Sequence, residues 1–177
     1  MTSETARRRF AQHVLPHLDD AYSLARWLTG NSTDAEDVVQ EACLRALKAL
    51  DGALVENPRA WLLAIVRNTT FTWLAKNRPH ALALSGGEEE ARAQQTDQLE
   101  PGPPTPEEAL IAKADRQSLA AAIEALPLVF KETLVMREIN GLSYREIAEA
   151  TGAPIGTVMS RLARARALLL ATLGQGS

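Results

Sequence analysis

The residues that could do covalent or metal chemistry in this chain are few, and they do not converge. His13 and His17 stand at i and i+4, a spacing that puts two imidazoles on one helix face where they can share a zinc ion. Pro16 adjoins the second of them and no Glu fills the HExxH arrangement, so the pair is expected to hold no metal. The single cysteine, Cys43, excludes an intramolecular disulfide and a multi-cysteine zinc site, and reads as a helix-packing residue in a reducing compartment. There is no phosphate-binding glycine loop, no nucleophile elbow and no cluster of Cys and His. The pattern predicts no catalytic residue, no cofactor and no enzyme.

Binding chemistry is better supplied. The segment LSYREIAEATGAPIGTVMSRLARARALLL, from Leu142 to Leu170, divides into a short helix, a tight turn and a longer helix, which is helix-turn-helix spacing. Ser143 and Glu146 are placed as a capping box for the first helix, with Ile147 and the small Ala148 facing inward. Gly152 suits a left-handed turn, and Pro154 the start of the next helix. On that helix Ile155, Val158 and Leu162 make an inward stripe, while Thr157, Ser160, Arg161 and Arg164 are expected to project outward. Such a face can contact phosphates and reach base edges in a major groove.

A second set lies in TDAEDVVQEACLRALKAL, Thr33 to Leu50. Thr33 and Glu36 are spaced as another capping box, and Val38, Ala42, Leu47 and Leu50 can point to a core. Asp37, Gln40 and Glu41 fall at i, i+3 and i+4, an acidic and amide patch suited to a basic partner surface. By spacing alone the patch also reads as an ordinary solvated helix face.

The elements that must position these residues are helices. Alternating strand patterns are missing, while Ala, Leu, Arg and Glu recur at three- and four-residue spacings, so the expected fold class is all-α with two small helical domains. Helices are expected near Thr5 to Leu28, Asp34 to Leu50 and Pro58 to Lys76, then Pro106 to Leu126, Leu128 to Ile139, Tyr144 to Ala150 and Ile155 to Leu173. Between them, Ser85-Gly86-Gly87, a polar run and Pro101-Gly102-Pro103-Pro104 read as a flexible linker. The domains are set at 1–78 and 106–177, with the linker at 79–105. Thr105-Pro106-Glu107-Glu108 supplies a cap, a first-turn proline and two acids for the helix that follows.

Net charge over the 177 residues is −3, unusual for a nucleic-acid binder until it is followed along the chain. From Ala81 to Pro106 five acids face one base, Arg92, whereas after Glu149 the charged residues are Arg161, Arg164 and Arg166. No apolar run approaches the roughly 20 residues that span a bilayer, and the N-terminus lacks a secretory pattern, so a cytoplasmic protein without membrane insertion is expected.

DAEDVVQEACLRAL, then NPRAWLLAIVRNTTFTWL, then LPLVFKETLVMREINGLSYREIAEATGAPIGTVMSRLARARALL together resemble extracytoplasmic-function (ECF) sigma factors of the sigma-70 family. The resemblance covers both domains and about three quarters of the chain. It implies a sigma region 2-like domain that binds core polymerase and the −10 promoter element, and a region 4-like domain that binds the −35 element. Asp37, Gln40 and Glu41 then match the surface that docks on the clamp helices of the polymerase's largest subunit, with the flap region as a further contact. The segment around Arg67 matches the part that meets the −10 element, where Asn68 falls at a base-reading position and Arg59, Arg67, Lys76 and Arg78 lie near phosphates. Thr157, Ser160, Arg161 and Arg164 become the −35 contacts. The resemblance also implies promoter melting and control by an anti-sigma factor that covers polymerase-binding surfaces. Trp61 and Trp73 can stack on bases, yet Trp61 and Trp27 are expected in the core. Two departures stand out: Met159 where the family often has Lys or Arg, and a short Asp51 to Asn57 loop without aromatic or Arg side chains. The competing reading is a dimeric regulator that binds duplex DNA by itself through the same C-terminal motif.

Overall fold

A computed structural model describes residues 4–52, 54–83 and 105–175. All regular structure among the described residues is helical. The first unit comprises α1 (Glu4–His13), α2 (Leu18–Thr29), α3 (Ser32–Ala49), α4 (Pro58–Asn77) and the short α5 (Pro79–Ala83). The second comprises α6 (Pro106–Ala112), α7 (Arg116–Glu124), α8 (Leu128–Leu134), α9 (Tyr144–Thr151) and α10 (Ile155–Gln175).

Local chemistry sets most boundaries. The continuous helix expected from Thr5 to Leu28 is broken by a 3-10 turn at Leu15–His17, because Pro16 has no N–H to continue the helical ladder. Gly30 ends α2 with φ of 74°, a conformation a Cβ disfavours. Asn31 then caps α3 by accepting from the Asp34 N–H at 3.0 Å, so the cap lies upstream of the expected Thr33 and Glu36 pair. Asn57 caps α4 in the same way through the Ala60 N–H at 3.2 Å, ahead of Pro58. The expected Pro106 to Leu126 helix is also two. Thr105 and Glu108 form a full capping box for α6, and Asp115 restarts the chain as α7 by accepting from the Gln117 N–H at 3.0 Å. α8 runs into a π-helical turn at Val135–Ile139, closed by the Asn140 N–H on the Val135 carbonyl at 2.9 Å.

In the first unit α2, α3 and α4 pack on one another, burying Leu24, Leu28, Val38, Leu50, Leu62, Leu63, Val66 and Leu74. Ala21, Ala25, Ala35, Ala42 and Ala46 are also buried; their small side chains let the helix axes approach. In the second, α10 is the spine against which α6, α7, α8 and α9 rest, with Val158, Leu162, Ala165 and Leu169 turned into the core. The two units touch: α4 packs on α9, and α2 on α8 and the π-helical turn. α5 occupies the start of the span read as linker and Thr105 its end, as the cap of α6, while 84–104 lie outside the described residues.

Candidate nucleic-acid and polymerase-docking surfaces

The C-terminal motif is built from its caps. The Glu146 N–H donates to Ser143 Oγ at 3.1 Å and the Ser143 N–H to Glu146 Oε1 at 2.8 Å, which satisfies two otherwise unpaired donors at the start of α9. Gly152, at φ of 78°, ends α9 with its N–H on the Ala148 carbonyl. α10 follows at once. Ser160 and Arg164 are exposed on it, Arg161 is half-buried, and Met159 is half-buried. Thr157 departs from the expected outward face: it is only 7% exposed. It lines a cavity of about 420 Å³ whose walls include Gly152, Pro154 and Arg161 and, from the other domain, Arg67. Arg166, on the same helix, is structural. It pairs with Glu108 at 3.2 Å and Glu138 at 2.9 Å; burial works against its charge, but the Glu138 hydrogen bond and the two carboxylates outweigh it and raise its pKa.

On α3 the structure brings the predicted patch together. Asp37, Gln40 and Glu41 are all exposed, and Glu41 accepts from Arg45 Nε at 3.3 Å. Leu44, 55% exposed, extends the same face one turn further. The sequence reading passed over it, although its spacing of three from Glu41 and seven from Asp37 was the signal.

The residues of α4 divide. Asn68 and Lys76 are exposed. Arg67 reaches into the other domain, its Nε donating to Glu132 Oε2 at 2.8 Å and its second amine to Oε1 at 3.1 Å. Its third nitrogen donates to Asn68 Oδ1 at 3.2 Å, and its guanidinium lies 3.8 Å from the Phe71 ring centroid. Arg59 is held by Asp20 at 2.9 Å, and Arg78 pairs with Asp34 and lies over the Trp73 ring. Trp27, Trp61 and Trp73 are half-buried against the core. In the preceding loop Leu54 is 90% exposed, an apolar tip that the reading of the loop did not single out.

His13 and His17 are half-buried, and no group of three or more potential metal ligands occurs among the described residues. Cys43 is half-buried against the core, and burial pushes its thiol pKa up. No described helix is long and apolar enough to cross a membrane.

One helical domain thus carries an exposed acidic helix face with Leu44 beside it, and the other a capped helix-turn-helix. Residues 13–80 match the family model for Sigma-70 region 2, and residues 116–169 that for Sigma-70, region 4. The chain is 36% identical over 141 residues to the ECF RNA polymerase sigma-E factor of Escherichia coli, covering 76% of this chain and 71% of the relative. To the ECF RNA polymerase sigma factor SigE of Mycolicibacterium smegmatis it is 33% identical over 153 residues, 86% of this chain and 57% of the relative. Among solved structures, the sigma factor RpoE from Bartonella quintana, in complex with the anti-sigma factor NepR, matches with a TM-score of 0.68 at 25% identity over 94% of this chain and 98% of that one. CnrH, in complex with the cytosolic domain of CnrY, matches with a TM-score of 0.59 at 28% identity over 97% of this chain and 91% of that one. The protein belongs to the ECF group of the sigma-70 family.

Proposed function

We propose that this protein binds core RNA polymerase through the exposed face of α3, carries it to promoters by contacts from α4 and α10, and helps open the DNA. The observation that carries this reading is the free face of Asp37, Gln40, Glu41 and Leu44 on the same chain as a fully capped helix-turn-helix. Clamp helices of the polymerase are the basic partner that such a face suits, with Leu44 supplying a desolvated contact inside an acidic rim.

On the DNA side, Asn68 offers an amide donor and acceptor to an unstacked −10 base, with Lys76 beside the phosphates. Arg59 and Arg67 join them once released from Asp20 and Glu132. Ser160, Arg161 and Arg164 face the −35 element, and Thr157 lies at the start of the same helix, where its contact is to a phosphate. Met159, without a charge, lacks one charged contact, so the −35 preference rests on the remaining arginines. An anti-sigma factor fits the same molecule. An apolar groove of about 780 Å³ between α2 and the second domain, lined by Trp27, Ile111, Leu119, Ile123, Leu134 and Ile139, suits the apolar face of an amphipathic helix.

The test is multi-round transcription by purified bacterial core polymerase on genomic fragments, with this protein and with the Asp37→Arg, Glu41→Arg double variant. The wild type is expected to yield new defined transcripts and to co-elute with core enzyme, and the variant to do neither. Duplex DNA binding by the protein alone, without transcripts and without co-elution, overturns the reading in favour of an independent regulator.

A further inference from the structure

Asn68 stands exposed on α4. A free carboxamide can present either its oxygen or its nitrogen to a partner, since a half-turn about its last side-chain bond exchanges the two. In this chain the residue before it makes the choice. Arg67 Nη1 donates to Asn68 Oδ1 at 3.2 Å, and a guanidinium carries donors alone, so the amide oxygen has to face the arginine. Nδ2 is left without a hydrogen-bond partner among the described residues. The Thr72 hydroxyl, on the next turn, does not compete for the side chain, because it donates to the Asn68 backbone carbonyl at 3.0 Å.

Arg67 is itself held. Its guanidinium lies 3.8 Å from the centroid of the Phe71 ring, which follows at i+4 on the same helix face and is half-buried against the core. At that distance the ring attracts the cation and limits how it can turn. The other two guanidinium nitrogens, Nε and Nη2, donate to Glu132. Those bonds come from the second domain, whereas the Phe71 and Asn68 contacts lie within α4 and do not depend on where that domain sits. A packed ring thus fixes a cation, and the cation fixes an amide.

We propose that Arg67 and Phe71 are positioning residues for promoter reading: they hold the Asn68 amide with its nitrogen free, so that Asn68 reads an unstacked −10 base as a hydrogen-bond donor. This rests on the reading of α4 as the −10 helix. Of the donor and acceptor that the amide carries, only the donor is then available, and its partner on the base is a keto oxygen or an unprotonated ring nitrogen. A base that turns an exocyclic amine to the same place sets donor against donor and is rejected. An amide left loose would turn and accept from that amine, and would discriminate little. Selectivity at this position therefore comes from the hold on Asn68 as well as from Asn68 itself.

The test uses holoenzyme assembled from bacterial core polymerase and the full chain. A promoter taken from its own transcripts is randomised across the −10 element, and the bound DNA is sequenced so that base preference is read position by position. Asn68→Asp keeps an oxygen for Arg67 but puts a second oxygen where the nitrogen was. Preference for the wild-type base at one position is expected to fall about tenfold and to pass to a base bearing an exocyclic amine. Arg67→Lys keeps the charge but not the planar fork, and is expected to flatten the same position and leave the others as they were. Phe71→Leu is expected to do likewise, and Phe71→Tyr, which retains the ring, to restore the preference. A phosphate contact alone predicts something else: Arg67→Lys would behave like the wild type, or weaken every sequence alike, and Phe71→Leu would change nothing. Either pattern overturns the proposal, as does an Asn68→Asp variant that keeps the wild-type preference. If circular dichroism shows that Phe71→Leu has lost helix, Arg67→Lys decides, since it removes nothing from the core. Asn68→Ala separates the two levels. If it alters no position, the reading of α4 as the −10 helix fails and the proposal with it; if it flattens one position that Arg67→Lys leaves sharp, only the positioning role fails.

Discussion

The two helices of the first domain that we propose bind polymerase and promoter are unlike in their surroundings. α3 presents Asp37, Gln40, Glu41 and Leu44 to water with one internal pair, Glu41 to Arg45. α4, by contrast, has Arg59 and Arg67 spent on carboxylates, one of them across the domain boundary. A surface that stands free needs no rearrangement to bind, and a surface that is already neutralised needs one. On the proposed function, the difference puts polymerase first and promoter second.

The largest effect tests the free side. Reversing two charges with Asp37→Arg and Glu41→Arg sets like against like at a basic clamp, and loss of core affinity by a factor of 100 or more is expected from roughly 3 kcal/mol of lost and reversed pairing. Co-elution and transcription read it. Leu44→Asp sharpens the same side. If Leu44 is a desolvated contact, core affinity falls about tenfold while the thermal midpoint stays put, because the side chain is already 55% exposed. An unchanged affinity would return Leu44 to the ordinary surface.

On the DNA side the expected effects are moderate and can be told apart. Arg161→Ala and Arg164→Ala each cost about 1–3 kcal/mol of −35 promoter binding in holoenzyme if they reach bases. Removing a phosphate contact instead weakens all promoters alike and flattens the salt dependence by about one ion. Arg166→Ala breaks the comparison if it behaves the same way. Its pairing with Glu108 and Glu138 predicts lost stability with promoter preference unchanged.

The helices that local rules specify were legible from the sequence, and contacts between distant segments were not. Ser143, Glu146 and Gly152 act where their offsets placed them, because a capping box and a left-handed glycine depend on neighbours three or four residues away. The α3 patch was legible by the same helical arithmetic. The breaks were harder. Pro16 and Asp115 each interrupt a stretch whose apolar spacing continues through them, so periodicity ran past the boundary. Thr157 read as outward because the helix alone would expose it; in the fold it is only 7% exposed and lines a cavity with Val129, Thr151 and, from the other domain, Arg67. Glu132 gave no signal at all. A lone glutamate in LPLVFKETLVM looks like a surface acid, and only the tertiary contact with Arg67, 65 positions away, makes it a buried one.

The smallest effect lies in the cap of α9. Burial alone would raise the Glu146 carboxyl's pKa, but the Ser143 N–H and hydroxyl, the Asn57 amide and nearby Arg59 outweigh that and hold it below the usual glutamate range. A folded pKa below the unfolded value means that the ionised carboxylate stabilises the fold above the unfolded pKa, near 4.3 for an ordinary glutamate. That contribution is lost as pH falls through the lower, folded value. Ser143→Ala removes one half of the capping box, for about 1 kcal/mol, and with a chain of this size lowers the thermal midpoint by roughly 2–4 °C at neutral pH. It also removes one of the bonds that depress the Glu146 pKa, so the difference between variant and wild type is expected to shrink as the buffer is taken below about pH 4. A gap that stays constant with pH would show that Ser143 acts on α9 without Glu146, and the reciprocal cap would then contribute nothing to the acid sensitivity of that helix.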